Sequence, residues 1–351
     1  MRSFLMPTAG VTCLFALAVA GCSAGSDDTP DGAPPSASER ASGSPSPSAS
    51  AGSSGAGTSY APYVSAVEAD GNDSAGSPTT YNLAFVIAGD SGCTPTWNGA
   101  DAIGDSAVKS RVSALTASGA TARVSFGGAS GKELAAACAG ASELTRAYGD
   151  ALDAVGSTQA DFDIEGDELS DSASVALRSR AIAALQAERP GLEVSFTLPV
   201  MPSGLDSDSL ALLASANKYD VQVSTVNLMT MNYGESYAGD MGGYAITSAT
   251  AAQAQLKKVF GTTDAGAWKG MALTSMIGTN DVDNETFSLS DAAQVRTFAE
   301  EKGISWVSMW STFRDRQCED GSATNDALTD CSGVEQENGA FAEAFSGQGS
   351  E

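Results

Sequence analysis

A chain of 351 residues with 43 acidic against 18 basic side chains, a formal charge of -25 and no histidine excludes much before any motif is read. Without imidazole there is no Ser-His-Asp or Cys-His nucleophile system, no histidine-ligated zinc and no histidine general base. The negative field repels nucleic acid and anionic membrane surfaces but tolerates neutral partners such as carbohydrates, and the length suits a tail plus one domain of about 280 residues.

Residues 1–22 have the form of an export segment: Arg2, an apolar run from Phe4 to Ala20, and Val19-Ala20-Gly21-Cys22, a tetrapeptide similar to a bacterial lipobox. Cleavage before Cys22 and lipidation of its sulfur are expected, so that the protein is extracytoplasmic and meets a membrane only through a lipid anchor; ordinary secretion with full release is the alternative. Residues 23–59 are almost wholly Ser, Gly, Ala, Pro and Thr with a few acids and cannot bury a core. They are expected to form a disordered linker spanning about 35 Å root-mean-square. Residues 60–351 form the expected domain, a monomer.

Within it, strands are expected at Pro62 to Ala66, Asn82 to Ala88, Ala122 to Phe126, Asp161 to Glu165, Leu192 to Leu198, Val223 to Met231, Gly270 to Ile277 and Ile304 to Trp310. Helical stretches such as Ser106 to Ala117, Lys132 to Val155, Ser172 to Glu188 and Asp291 to Lys302 lie between them. In Ser172 to Glu188, Val175, Ala176, Ile182, Ala183 and Leu185 recur at near-helical spacing until Arg189-Pro190-Gly191 ends the run. Strand and helix alternating about eight times predict a parallel sheet closed as a (β/α)8 TIM barrel, with an open doubly wound sheet as the alternative. No Gly-x-Gly-x-x-Gly follows the first strand, so a dinucleotide site has no support. Beyond the export segment, Cys93, Cys138, Cys318 and Cys331 allow three pairings. Chain proximity favours Cys93 with Cys138 and Cys318 with Cys331 over the other pairings and over free buried thiols.

The fourth strand is unusual. In Ala160-Asp161-Phe162-Asp163-Ile164-Glu165-Gly166, alternation places Asp161, Asp163 and Glu165 on one face and Phe162 and Ile164 on the other. Three acids about 6 to 7 Å apart repel one another and are costly to desolvate, which favours raising at least one pKa toward general-acid use. A solvated acidic edge strand or a metal-binding strand would show the same pattern. Barrels place chemistry at the carboxyl ends of strands, and other distinctive residues fall there: Ser125-Phe126-Gly127-Gly128, Met229 to Tyr233, and Trp310. Each has an ordinary structural reading as a turn or as core. Together they suggest a pocket with Met, Tyr and Trp walls facing carboxylates, suited to sugars.

From Tyr60 to Phe345 the chain resembles glycoside hydrolase family eighteen, the chitinases and their relatives. Ser125-Phe126-Gly127-Gly128 matches that family's Ser-x-Gly-Gly, and Asp161, Asp163 and Glu165 match the last three acids of Asp-x-x-Asp-x-Asp-x-Glu, with Thr158 in place of the first. Met229-Thr230-Met231-Asn232-Tyr233 is read against Met-x-Tyr-Asp, so that Met231 replaces the tyrosine, Asn232 replaces the aspartate and Tyr233 follows one place late. Trp310 matches the tryptophan that floors the sugar site.

The resemblance implies hydrolysis of N-acetylglucosamine-containing oligo- or polysaccharides with retention, by substrate assistance, without metal or cofactor. Glu165 is the implied general acid. Asp163 orients the 2-acetamido group, with Asp161 behind it, and Tyr233 and Asn232 bond the acetamido oxygen or flanking groups. Met229, Met231, Ser125, Gly127, Gly128 and Trp310 complete the implied site. An endo-β-N-acetylglucosaminidase acting on glycoprotein glycans, a silent sugar-binding lipoprotein and a structural surface protein are the competing readings.

Overall fold

The computed structural model describes residues 57–319 and 330–348; the export segment with Cys22, and the linker as far as residue 56, lie outside the described residues. Eight parallel strands run in chain order. The first consists of two pieces, Ser59–Tyr60 and Tyr63–Ser65. Thr80–Ala88, Thr121–Gly127, Gln159–Asp163, Glu193–Pro199, Thr225–Met229, Met271–Met276 and Trp306–Trp310 follow, each parallel to its neighbour.

Closure comes from the split first strand. Its beginning bonds the eighth strand, Ala61 N–H donating to the Val307 carbonyl at 2.9 Å, and its end bonds the second, Asn82 N–H donating to the Pro62 carbonyl at 2.9 Å. Proline has no N–H, so the ladder divides there while the carbonyl still accepts. The sheet is therefore a closed eight-stranded TIM barrel, as the strand-helix alternation predicts.

Alternation along the strands sorts two interiors. Phe126, Phe162 and Phe196, on the third, fourth and fifth strands, form one buried aromatic layer, with centroids 5.2 Å and 5.7 Å apart, and Tyr148 of helix Ala141–Val155 packs edge-on against the first two. Burying each such ring contributes about 1.5 to 3 kcal/mol. The intervening residues point into the barrel and are polar: Ser125, Asp161, Ser195 and Thr197 are all buried.

Helix Ser172–Glu188 has the predicted bounds, started by Asp171, whose carboxylate accepts from Ala173 N–H, and stopped before Pro190. Residues 132–155, expected as one helix, are two, Leu134–Ala137 and Ala141–Val155. Between them Cys138 is extended and bonded to Cys93, and Gly140 opens the second helix. The second disulfide joins Cys318 to Cys331. The fourth strand ends at Asp163 rather than Glu165, because helix Gly166–Ser170 begins there with Glu165 at its N-cap. Glu165 keeps extended dihedrals of -132° and 166°, so the alternation of acids survives past the last ladder residue. Among the described residues no helix is long and apolar enough to cross a membrane.

Candidate active site

Asp161 sits at the centre of the barrel, fully buried, inside a cage of hydroxyls. Tyr63 Oη and Ser125 Oγ donate to its Oδ2 at 2.9 and 2.7 Å, Ser195 Oγ donates to Oδ1 at 2.6 Å, and Thr197 Oγ1 lies 2.9 and 3.0 Å from the two oxygens. Asn227 Nδ2 donates in turn to Thr197 Oγ1 at 3.0 Å, and Thr274 Oγ1 donates to Asn227 Oδ1 at 2.9 Å. Burying a carboxylate costs several kcal/mol, and four hydroxyls from three surrounding strands offset it at roughly 1.5 to 3 kcal/mol each. The cage fixes this acid in place.

Asp163 and Glu165, one pleat and two pleats further toward the carboxyl end, line an open cleft of about 1420 Å³. Burial, then the nearby charges of Glu165 and Asp161, and finally a hydrogen bond with Glu165 push the Asp163 carboxyl well up. Burial pushes Glu165 up to about 7, against a lowering bond from Asp163 and with a further rise from the Asp281 charge. The two carboxyls titrate as a pair and hold a proton near neutrality. Asp163 Oδ1 is buried and has no hydrogen-bond partner among the described residues. Such a pair can donate a proton while keeping an acceptor directed at a ligand.

Across the cleft the Trp310 ring stacks with Phe85 at 5.5 Å and meets Tyr63 and Phe313 edge-on at 5.9 and 5.7 Å. Trp310 closes the eighth strand and is partly exposed, leaving ring surface open to the cleft. Met229, Met231 and Asn232 line the cleft beside it. Asn232 adopts a φ of 54°, a left-handed conformation that asparagine tolerates, and its Nδ2 donates to Asp281 Oδ2 at 3.3 Å.

Other expected residues stand elsewhere. Ser125, Gly127 and Gly128 lie beneath the cleft: Ser125 holds Asp161, while Gly128 N–H donates to the Asp163 carbonyl at 2.9 Å. Both glycines have positive φ, and a Cβ on Gly127 would fall 2.1 Å from that carbonyl, so the pair lets the third strand approach the acid strand closely. Tyr233 is turned away from the carboxyls. It is buried against Tyr237 and Tyr244, with its hydroxyl 3.5 Å from Ser248, and does not line the cleft. The strand ends at Met229, and the left-handed turn at Asn232 breaks the alternation, so that Met231 and Asn232 both line the cleft while the chain carries Tyr233 away from it.

Sequence reasoning missed Tyr63, Thr197, Phe85 and Asp281. Ser195-Phe196-Thr197 carries a usable signal, two hydroxyls alternating with an aromatic in an otherwise apolar strand. Phe85 and Asp281 carry none, since their place depends on where neighbouring strands end.

No family model matches the chain. It is 34% identical over 275 residues to a "Probable bifunctional chitinase/lysozyme" of Escherichia coli (strain K12), an alignment that covers 73% of this chain and 31% of that protein. It is 33% identical over 248 residues to "Endochitinase 11" of Metarhizium anisopliae, covering 67% and 47%. The chain thus spans less than half the length of either relative. The catalytic domain of a hyperthermophilic chitinase from Pyrococcus furiosus superposes with a TM-score of 0.73 at 27% identity, over 83% of this chain and 94% of that one. A GH18 chitinase from Pseudoalteromonas aurantia shares the fold at 12% identity, with a TM-score of 0.53 over 72% of this chain and 94% of its own. The domain that carries the paired carboxyls belongs to glycoside hydrolase family 18 and is chitinase-like.

Proposed function

We propose that the domain hydrolyses β-1,4 linkages between N-acetylglucosamine units of chitin or chito-oligosaccharides, with retention and substrate assistance. The observation that carries this reading is the Asp163–Glu165 pair, protonated near neutrality, at the base of an open cleft opposite the Trp310 ring. Glu165 gives its proton to the glycosidic oxygen as the bond to C1 breaks. The acetamido carbonyl oxygen of the same sugar closes on C1, forming an oxazolinium ion. The unpartnered Asp163 Oδ1 accepts the acetamido N–H and offsets the positive charge, while Asp161, held by hydroxyls of its own, anchors the strand behind it. Water then attacks C1 and displaces the acetamido oxygen from it, and the Glu165 carboxylate takes a proton from that water.

Chitotetraose with the purified domain tests this: shorter chito-oligosaccharides should appear with the β-anomer first, read by proton NMR before mutarotation. The α-anomer first, or cleavage confined to glycoprotein glycans, overturns it. Trp310→Ala should raise KM about 2- to 13-fold, since stacking on a ring contributes roughly 0.5 to 1.5 kcal/mol. An unmoved KM removes Trp310 from the sugar floor.

The export reading enters the same proposal on the strength of Val19-Ala20-Gly21-Cys22. Cys22→Ser should shift the protein from the membrane fraction to the medium, and an unchanged partition argues against the anchor.

A further inference from the structure

The seventh strand does not lead straight to its helix. A short ribbon, Gly278–Thr279 paired with Thr286–Phe287, intervenes, and Asp281 sits in its turn. The ribbon is braced on three sides. Glu285 accepts Gly234 N–H at 2.7 Å and takes further bonds from the Asn232 and Tyr233 backbone, which ties the ribbon to the loop after the sixth strand. Asn280 Nδ2 donates to the Met276 and Gly278 carbonyls at 2.9 and 3.0 Å. Thr279 N–H donates to the Ser332 carbonyl at 2.7 Å, next to the Cys318–Cys331 bridge.

The position that resembles the aspartate of the sixth-strand motif is Asn232, an amide that cannot titrate, and its Nδ2 holds the Asp281 carboxylate. We propose that Asp281 is a positioning residue of the glycosidase site: an acid supplied from the ribbon after the seventh strand and held by Asn232 on the wall of the cleft that Glu165 also lines, where its negative charge acts on the general acid. This rests on the proposed hydrolase reading. The charged groups that act on Glu165 are Asp163 on its own strand and Asp281 on the ribbon, with Asp161 behind Asp163; the cleft is also lined by Glu68 and Asp330, and by Asp70 and Asp73, which pair with Arg316 and Arg111. No lysine or arginine is among the described residues lining the cleft, so no cation there neutralises the repulsion. Ionising Glu165 beside a fixed carboxylate is unfavourable, and burial heightens the effect.

The test is the pH profile of kcat/KM on chitotetraose for the parent, Asp281→Asn and the double variant Asn232→Asp/Asp281→Asn. Asp281→Asn is nearly isosteric and keeps a partner for Asn232. Its alkaline limb should move down by about half to one pH unit, so that its loss relative to the parent grows with pH to about three- to tenfold above the limb. The double variant, which returns the charge to the sixth strand, should move the limb back. Titration of the 13C-labelled Glu165 carboxyl in the free proteins should show the same downward shift and its reversal. Coincident limbs and coincident carboxyl titrations overturn the proposal. A parent that cleaves nothing while the carboxyl titration still shifts refutes the hydrolase reading and leaves Asp281's hold on Glu165 standing.

Discussion

Glu165→Gln is expected to lower kcat on chitotetraose by at least about 10² to 10⁴, because it keeps the shape of the side chain and removes the proton that the leaving oxygen needs. The loss should fall on kcat, since on the proposed reading the Trp310 and Phe85 rings and Asp163 remain to hold the sugar. A parent that binds oligosaccharide without cleaving it, and a Glu165→Gln variant indistinguishable from it, would make the domain a lectin.

The same substitution should change stability. The Glu165 carboxyl is pushed up to about 7 in the folded chain from an unfolded value near 4.5. A raised carboxyl favours the folded state where it is protonated, so its contribution is complete below pH 4.5 and is lost as pH rises through about 7. The loss is on the order of 3 kcal/mol, shared with Asp163, whose pKa burial also raises. Melting temperature should therefore fall for the parent between pH 5 and pH 8 and fall less for Glu165→Gln. Parallel curves would mean that the pair does not hold its proton in the fold.

How far the sequence reaches is set by the range of each interaction. The acid ladder was legible because strand alternation is local: Asp161, Asp163 and Glu165 share a face whatever surrounds them, even though the ladder hydrogen bonds stop at Asp163. Helix Ser172–Glu188 was legible for the same reason, with its cap and its Arg189-Pro190 stop written beside it. The break at Cys138 to Gly140 was not, because helical propensity does not report that Cys138 is bonded to Cys93, 45 residues away. Tyr233 was misplaced because the left-handed turn at Asn232 ends the strand alternation before it, and Asp281 was invisible because it reaches the cleft only through a ribbon whose braces come from the loop after the sixth strand and from Ser332.

The largest stability effect is expected below the cleft, at Glu133. Its carboxylate caps helix Leu134–Ala137, accepts Tyr148 Oη at 2.5 Å, and takes both Nε and Nη2 of Arg178 on Oε2 at 3.0 and 2.7 Å. Glu133 and Arg178 are 1% exposed, so neither charge has water to fall back on. Glu133→Gln removes the carboxylate that pairs with the buried guanidinium and leaves only the weaker pull of Glu168, and removing one partner of a buried pair typically costs about 3 to 5 kcal/mol. For a domain of this size that lowers the melting temperature by roughly 6 to 20 °C. Replacing both partners with apolar residues, as in Glu133→Leu/Arg178→Met, should cost less than the single change, because no stranded charge remains. Melting curves of the parent and both variants decide it. A double variant as unstable as the single would assign the loss to packing and to the Tyr148 bond rather than to the buried charge. The same side chain lies beside Gly127, where an added Cβ would come within 3.4 Å of Glu133 Cγ. The ion pair therefore supports the turn that lets the third strand close on the Asp163 carbonyl, and kcat should fall in the single variant more than in the double.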